Sequence, residues 1–308
     1  VYAPNTFVFM CLRALQAIAA CTFVVARAIV RDTTETQASG SKIAYISMGT
    51  AICPMFGPAL GGLMDGWFGW EANFWFIGGL GLFILIIAYF DLGETVPENT
   101  QGFRQQFSEY PELLLSRRFW GYCLASAFGA GAFFAYLGGG PFVGSIVYNL
   151  SPEMLGLYFG APAIGYFFGN FLSGRFTIRF GIDSMILWGL WIIFSGLSLS
   201  MVCSYIGYGT VETFFGFMIF VGLGNGLTIP NATAGMLSVR PHLAGTASGL
   251  GGAMMIAIGA ALSTLAGAFL VPGSNEMPLL MLMWFSSLSG VAVIIYVRQR
   301  NKRLKKSF

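Results

Sequence analysis

Long apolar runs alternate with short polar breaks along the whole chain, and the length of the runs decides which element they form. Nine of them, at residues 6–27, 43–64, 72–90, 119–142, 154–174, 184–204, 213–237, 244–270 and 279–297, come close to or exceed the roughly 20 mostly apolar residues that a helix needs to cross the bilayer core. The ten-residue alternation of a membrane barrel strand is missing. In hydrocarbon a lone segment satisfies its own backbone N–H and C=O groups only as a helix. The pattern therefore predicts an all-α integral membrane protein with nine transmembrane helices.

Composition agrees with that reading. Only 9% of the 308 residues are charged, 56% are hydrophobic, and the mean hydropathy is +0.72, where a soluble domain carries about 25% charged residues. The charges also orient the helices. Fifteen of the sixteen Lys and Arg fall in 27–42, 91–120, 175–183, 240–244 and 298–308, whereas the alternate connections 1–5, 65–71, 143–153, 205–212 and 272–278 hold none. Positive residues stay on the cytoplasmic side, so the N-terminus is expected outside and the C-terminus inside, in a multi-pass protein of the cell inner (plasma) membrane. The basic tail Arg298, Arg300, Lys302, Arg303, Lys305 and Lys306 then reads as a topology anchor near anionic lipid, with no nucleic-acid role.

The polar interval 91–118, with Pro97 and Pro111, divides the spans three to six. It reads as a cytoplasmic linker, in which Phe103, Phe107 and Tyr110 are spaced for an amphipathic helix on the membrane surface. The expected organisation is 1–91 as the last three helices of an N-terminal bundle, 92–118 as linker, 119–297 as a six-helix C-terminal bundle and 298–308 as tail. Transporters are often built from duplicated halves, so three helices are expected upstream of Val1.

Four glycine pairs, Gly57/Gly61, Gly165/Gly169, Gly222/Gly226 and Gly245/Gly249, are spaced four apart. Each pair shares a helix face along which backbones can approach closely, for packing or for sliding. The five cysteines are dispersed within spans and read as small packing residues rather than a disulfide or metal framework. Arg13 is the one ionisable residue placed inside a span, with Gln16 a turn on. A cation at that depth is costly, about 2.5–3.5 kcal/mol for Arg on insertion scales, so it serves either helix packing through hydrogen bonds or proton coupling and substrate binding. Asn225 and Asn231 flank Pro230; their amides either line a cavity where the helix is broken or tie helices together. Asn170 and Tyr136 are similar candidates.

In the second span Gly57-Pro58-Ala59-Leu60-Gly61-Gly62 combines a lost backbone donor with absent side chains, a pliant and tightly packed joint. Arg13-x-x-Gln16 followed one helix later by this Gly-Pro-x-x-Gly-Gly resembles the paired motifs of the major facilitator superfamily, drug:proton antiporter branch. The likeness continues through Phe134-Ala135-Tyr136-Leu137, Pro141-Phe142-Val143, Ser151-Pro152, Phe159-Gly160, Pro230-Asn231-Ala232 and His242-x-Ala244-Gly245-Thr246-Ala247-Ser248. Together these resemble the Bcr/CflA-type bicyclomycin and chloramphenicol resistance exporters over essentially the whole chain.

The resemblance implies twelve helices, of which nine are present in an N-terminally truncated member, and export of small amphipathic drugs in exchange for protons by alternating access. It assigns Arg13 and Gln16 to proton coupling, and Gly57, Pro58, Gly61 and Gly62 to the antiporter motif that seals or hinges its helix. Gly174-Arg175-x-x-x-Arg179-x-Gly181 resembles the second-half copy of a cytoplasmic loop motif. The pattern departs at Ala17, Ala19 and Cys53, which stand where Gly is frequent, and at Ile178, which stands where the loop motif has an acid.

An enzyme is not expected. The single histidine, His242, lies in a connection, and neither His-Glu-x-x-His nor Gly-x-x-x-x-Gly-Lys occurs. The proton gradient, with no cofactor, is the expected energy source, and the expected partners are the lipid bilayer, protons and a drug-like solute, for a protein acting as a monomer. The alternatives are a nutrient or metabolite symporter or facilitator on the same fold, or a non-functional fragment.

Overall fold

The computed structural model describes residues 3–20, 22, 29, 57, 60–93, 111–240 and 243–306. Parts of the first two spans, Pro58 and Cys53, the linker aromatics Phe103, Phe107 and Tyr110, and His242 lie outside the described residues. All regular structure among the described residues is helical. The chain forms two compact units: Val1–Cys53 with Leu63–Gln101, and Pro54–Gly62 with Gly102–Phe308.

In the first unit α1 runs over Thr6–Ala17, started by Asn5, whose side chain accepts a hydrogen bond from the Val8 amide at 2.9 Å. A further helical stretch, α2, covers 60–68 and continues into this unit. Helix α3, Trp70–Asp91, is apolar around its whole circumference and buries no residue. Such a helix is stable where hydrocarbon or other helices surround it.

The second unit contains α4 (Arg117–Phe142), α5 (Pro152–Phe159), α6 (Ala161–Phe180), α7 (Ile182–Tyr205), α8 (Val211–Val239), α9 (Ala244–Phe269) and α10 (Met277–Lys306). Among the described residues, six helices are long and apolar enough to span a bilayer: α3, α4 with its extension to Val147, α7, α8, α9 and α10. Two of these elements differ from the sequence pattern. The expected span 154–174 is divided at Gly160 into α5 and α6, because Pro162 in the first turn of α6 has no N–H to continue the ladder. Residues 298–306 are helical too, so the basic stretch extends α10 instead of forming a separate tail.

Helices α4 and α8 form the centre of this unit. Helix α4 packs on α8, α9 and α10, and α8 packs on α6 and α7 as well. The buried surface of α4 consists largely of Gly, Ala and Ser, which lets neighbours approach its backbone. Pro141 near its end is followed by a π-helical turn, Val143–Val147, a local widening typical of a disturbed ladder. Helices α6 and α7 meet at Gly181, whose φ of 80° is a left-handed conformation that only glycine adopts without strain. Helix α8 starts with a reciprocal cap, Thr210 and Thr213 each bonding the other's backbone amide.

Candidate functional site

In the first unit, Arg13 Nη1 donates to Gln16 Oε1 at 2.7 Å, along the exposed side of α1. The guanidinium and the amide thus form one joint polar group a single turn apart, and the amide accepts without neutralising the charge. Of the glycine-proline motif, Gly57 is exposed and Gly61 half-buried. Gly62, in the second unit, lies against α5: a Cβ at this position would sit 2.6 Å from the Pro152 carbonyl oxygen and 3.0 Å from Gly156 Cα. Only glycine fits there without a shift of backbone.

The two asparagines beside Pro230 have different surroundings. Asn231 is buried and fully bonded: its amide donates to Ser173 Oγ and to the Leu227 carbonyl, both at 2.7 Å, and its carbonyl accepts from Thr177 Oγ1 at 2.9 Å. It ties α8 to α6. Asn225 is equally buried, yet among the described residues neither polar atom of its side chain has a hydrogen-bond partner, and the same is true of the buried Thr228 hydroxyl. Both side chains lie at the junction of α4, α7 and α8, where a Cβ on Gly129 would come within 3.2 Å of Asn225 Oδ1 and 3.3 Å of the Thr228 methyl. Asn225 and Thr228 are therefore one polar pair with hydrogen-bonding capacity to spare; Asn170 spends its amide on the Tyr166 carbonyl of its own helix at 2.8 Å.

Tyr136 is buried and stacks on Phe159, ring centroids 4.6 Å apart and 16° from parallel. Its hydroxyl donates to the Phe159 carbonyl at 3.1 Å. The Ala163 amide bonds Gly160 at this break, so the Phe159 carbonyl has lost its helical donor and the phenol replaces it.

The interface of α6 and α8 is keyed by the glycine pairs read from the sequence. A Cβ on Gly165 or Gly169 would collide with the carbonyls of Ile219 or Leu223, one on Gly222 with the Pro162 carbonyl, and one on Gly226 would sit 2.6 Å from the Tyr166 oxygen. Each pair receives the other helix's backbone.

At the end of the unit that carries the basic residues, the loop motif is open: Gly174 has free space, Arg175 is exposed, and Arg179 reaches over the Phe180 ring at 5.3 Å. The acid missing at Ile178 is found instead at Asp183, which the motif does not include. The Tyr122 hydroxyl donates to Asp183 Oδ1 at 2.7 Å, and Asn301 donates to Asp183 Oδ2 at 2.9 Å and to Tyr122 at 3.0 Å. This network joins the start of α4, the start of α7 and the end of α10. Sequence reasoning passed over it because its members lie 61 and 118 positions apart; the one local signal is an acid in the first turn of α7. Arg240 and Glu112 form an ion pair at 2.7 Å. At the other end the buried Glu276 accepts from Ser204.

A bundle of apolar helices with polar groups buried in its centre and glycine-keyed contacts defines a multi-pass membrane protein. The chain belongs to the major facilitator superfamily, whose model matches residues 1–264, and members of that family are transporters, not enzymes. It is 27% identical over 305 residues to the bicyclomycin resistance protein homolog of Haemophilus influenzae, an alignment covering 95% of this chain and 74% of that one. It is 31% identical over 265 residues to the chloramphenicol resistance protein of Pseudomonas aeruginosa, covering 82% and 61%, respectively. With multidrug resistance protein D of Escherichia coli it shares 26% over 280 residues, or 88% and 67% of the two chains. Among solved structures it is similar in fold to a bacterial homolog of the human lysosomal transporter Spinster, with a TM-score of 0.52 and 18% identity over 88% of this chain and 71% of that one.

Proposed function

We propose that this protein is a secondary active transporter that exports small amphipathic drugs in exchange for protons by alternating access, driven by the proton gradient without a cofactor. The observation that carries this reading is the kinship, over nearly the whole chain, with proteins named for resistance to bicyclomycin, chloramphenicol and multiple drugs. The geometry supports it at two points. Arg13 holds its charge against a neutral amide, so that charge remains to answer a titrating acid. Asn225 and Thr228 offer unspent donors and acceptors deep within the helices.

The inner membrane is the proposed location, with the basic end facing the cytoplasm and residues 1–91 and 119–297 contributing to two bundles. The test uses inverted membrane vesicles carrying the protein, energised to an acidic interior and followed with a pH-sensitive dye. Adding a drug such as chloramphenicol is expected to release part of the proton gradient, and Arg13→Ala to abolish that release while the protein still inserts. A gradient indifferent to drug, or one released equally by the Arg13→Ala protein, overturns the proposal.

A further inference from the structure

We propose that the basic end of the second unit holds a binding site for one anionic phospholipid, its headgroup between α4, α7 and α10 and its chains in the groove between α6 and α7. The headgroup compartment is a cavity of about 1010 Å³ whose lining includes Arg118, Asp183, Arg298, Asn301 and Lys302. Three cations thus face one acid, and both oxygens of that acid are already engaged, by Tyr122 and Asn301. The compartment therefore carries a net positive charge that its own residues do not neutralise. Arg118 adds its guanidinium to the same wall, its Nε without a hydrogen-bond partner among the described residues. The first turn of α7 lines the same space through Ile182, Asp183 and Ser184, adding the positive end of a 24-residue helix. A phosphate monoanion suits this set, since guanidinium groups bind phosphate oxygens in pairs.

Phe180 lines this cavity and also a second one of about 630 Å³. The second cavity is apolar: Leu172 and Phe176 of α6 form one wall, Met185, Trp188 and Trp191 of α7 the other, and Leu227 of α8 the floor. The residues on α6 recur every fourth position and those on α7 every third, which places each set on one helix face. Helices α6 and α7 each pack on α8 far more than on each other, and so leave the groove between them. A soluble phosphate ester would use the first cavity and leave the second bare, whereas a phospholipid fills both. The site does not depend on the transport reading, which only assigns it to the inner leaflet.

The test reads tryptophan fluorescence of the purified full chain in nanodiscs, with Trp67, Trp70, Trp75, Trp120 and Trp284 replaced by Phe so that Trp188 and Trp191 alone report on the groove. Brominated-chain phosphatidylglycerol at low mole fraction in phosphatidylcholine is expected to quench more strongly than brominated phosphatidylcholine. Arg298→Gln with Lys302→Gln is expected to weaken that preference roughly thirtyfold, given the attraction of each basic residue to an anionic surface, while Arg298→Lys with Lys302→Arg retains it. Equal quenching by the two lipids, an undiminished preference in the glutamine variant, or loss of preference in the charge-conserving variant overturns the site. Inorganic phosphate at millimolar concentration is expected to leave the quenching intact; abolition by phosphate overturns the lipid assignment in favour of a soluble anion. Thermal unfolding of both double variants without anionic lipid is expected to match the parent, and a preference lost only together with that stability also overturns the proposal.

Discussion

Asn225 and Asn231 lie six positions apart on one helix, and the energetics of a buried amide separate them. A hydrogen bond between membrane helices contributes on average about 0.6 kcal/mol, reaching about 1.7, and removing one partner leaves the others unpaired at about 1–3 kcal/mol. Asn231→Ala removes the amide shared by Ser173 and Thr177, although Thr177 keeps the Ser173 carbonyl as acceptor at 2.6 Å, and is therefore expected to destabilise the protein by about 1–3 kcal/mol, seen as a lower thermal unfolding midpoint in detergent. Asn225→Leu removes an amide that has no partner and is expected to leave the midpoint unchanged or raised. If Asn225 contacts the transported solute, the same variant loses drug-dependent proton release at undiminished stability. The sequence could not separate the two, since Ser173 and Thr177 are 58 and 54 residues from Asn231 and only the packing of α6 on α8 brings them together. Tyr136, a cavity candidate on sequence grounds, donates its hydroxyl to the Phe159 carbonyl freed at the Gly160 break. Its partner arises from a helix break that the hydropathy pattern did not reveal.

Between elements, spacing was the most legible feature. Two of the four glycine pairs, Gly165/Gly169 and Gly222/Gly226, face one another across α6 and α8, as small residues four apart allow. Which pair meets which was not readable, because a glycine face states that something comes close and not what does. Gly249, by contrast, has no neighbour within 4 Å of a Cβ position among the described residues. Gly165→Val is expected to separate α6 from α8 at a cost beyond the roughly 1–3 kcal/mol of ordinary overpacking, because the obstacle is a backbone carbonyl. Gly249→Ala should be tolerated. Levels of folded protein, judged by a monodisperse peak in size-exclusion chromatography, compare the two directly. The division of one expected span into α5 and α6 follows from Gly160 and Pro162 together, and a window of averaged hydropathy cannot see a break that keeps the run apolar.

For the whole molecule, the charge pattern predicts more than any single contact does. The ion pair of Arg240 with Glu112 is about half exposed, and such pairs contribute about 0–1 kcal/mol; Glu112→Gln is expected to change stability by no more than that in a thermal melt. Orientation is a sharper matter. With native cysteines replaced, a cysteine at Arg175 should react with an impermeant maleimide only in inverted vesicles, and one at Asn275 only in intact cells. The reverse labelling would place the basic end outside. The apolar spans were legible because hydrocarbon imposes its demand on every residue of a segment. The Tyr122–Asp183–Asn301 network was not, since three separate helices each supply one member. The keyed glycines also limit how the gene can drift. Where two backbones occupy one another's space, a methyl gained on one side has no compensating deletion on the other, glycine being already the smallest residue. Positions 165, 169, 222 and 226 are thus expected to resist substitution in any lineage that keeps this contact.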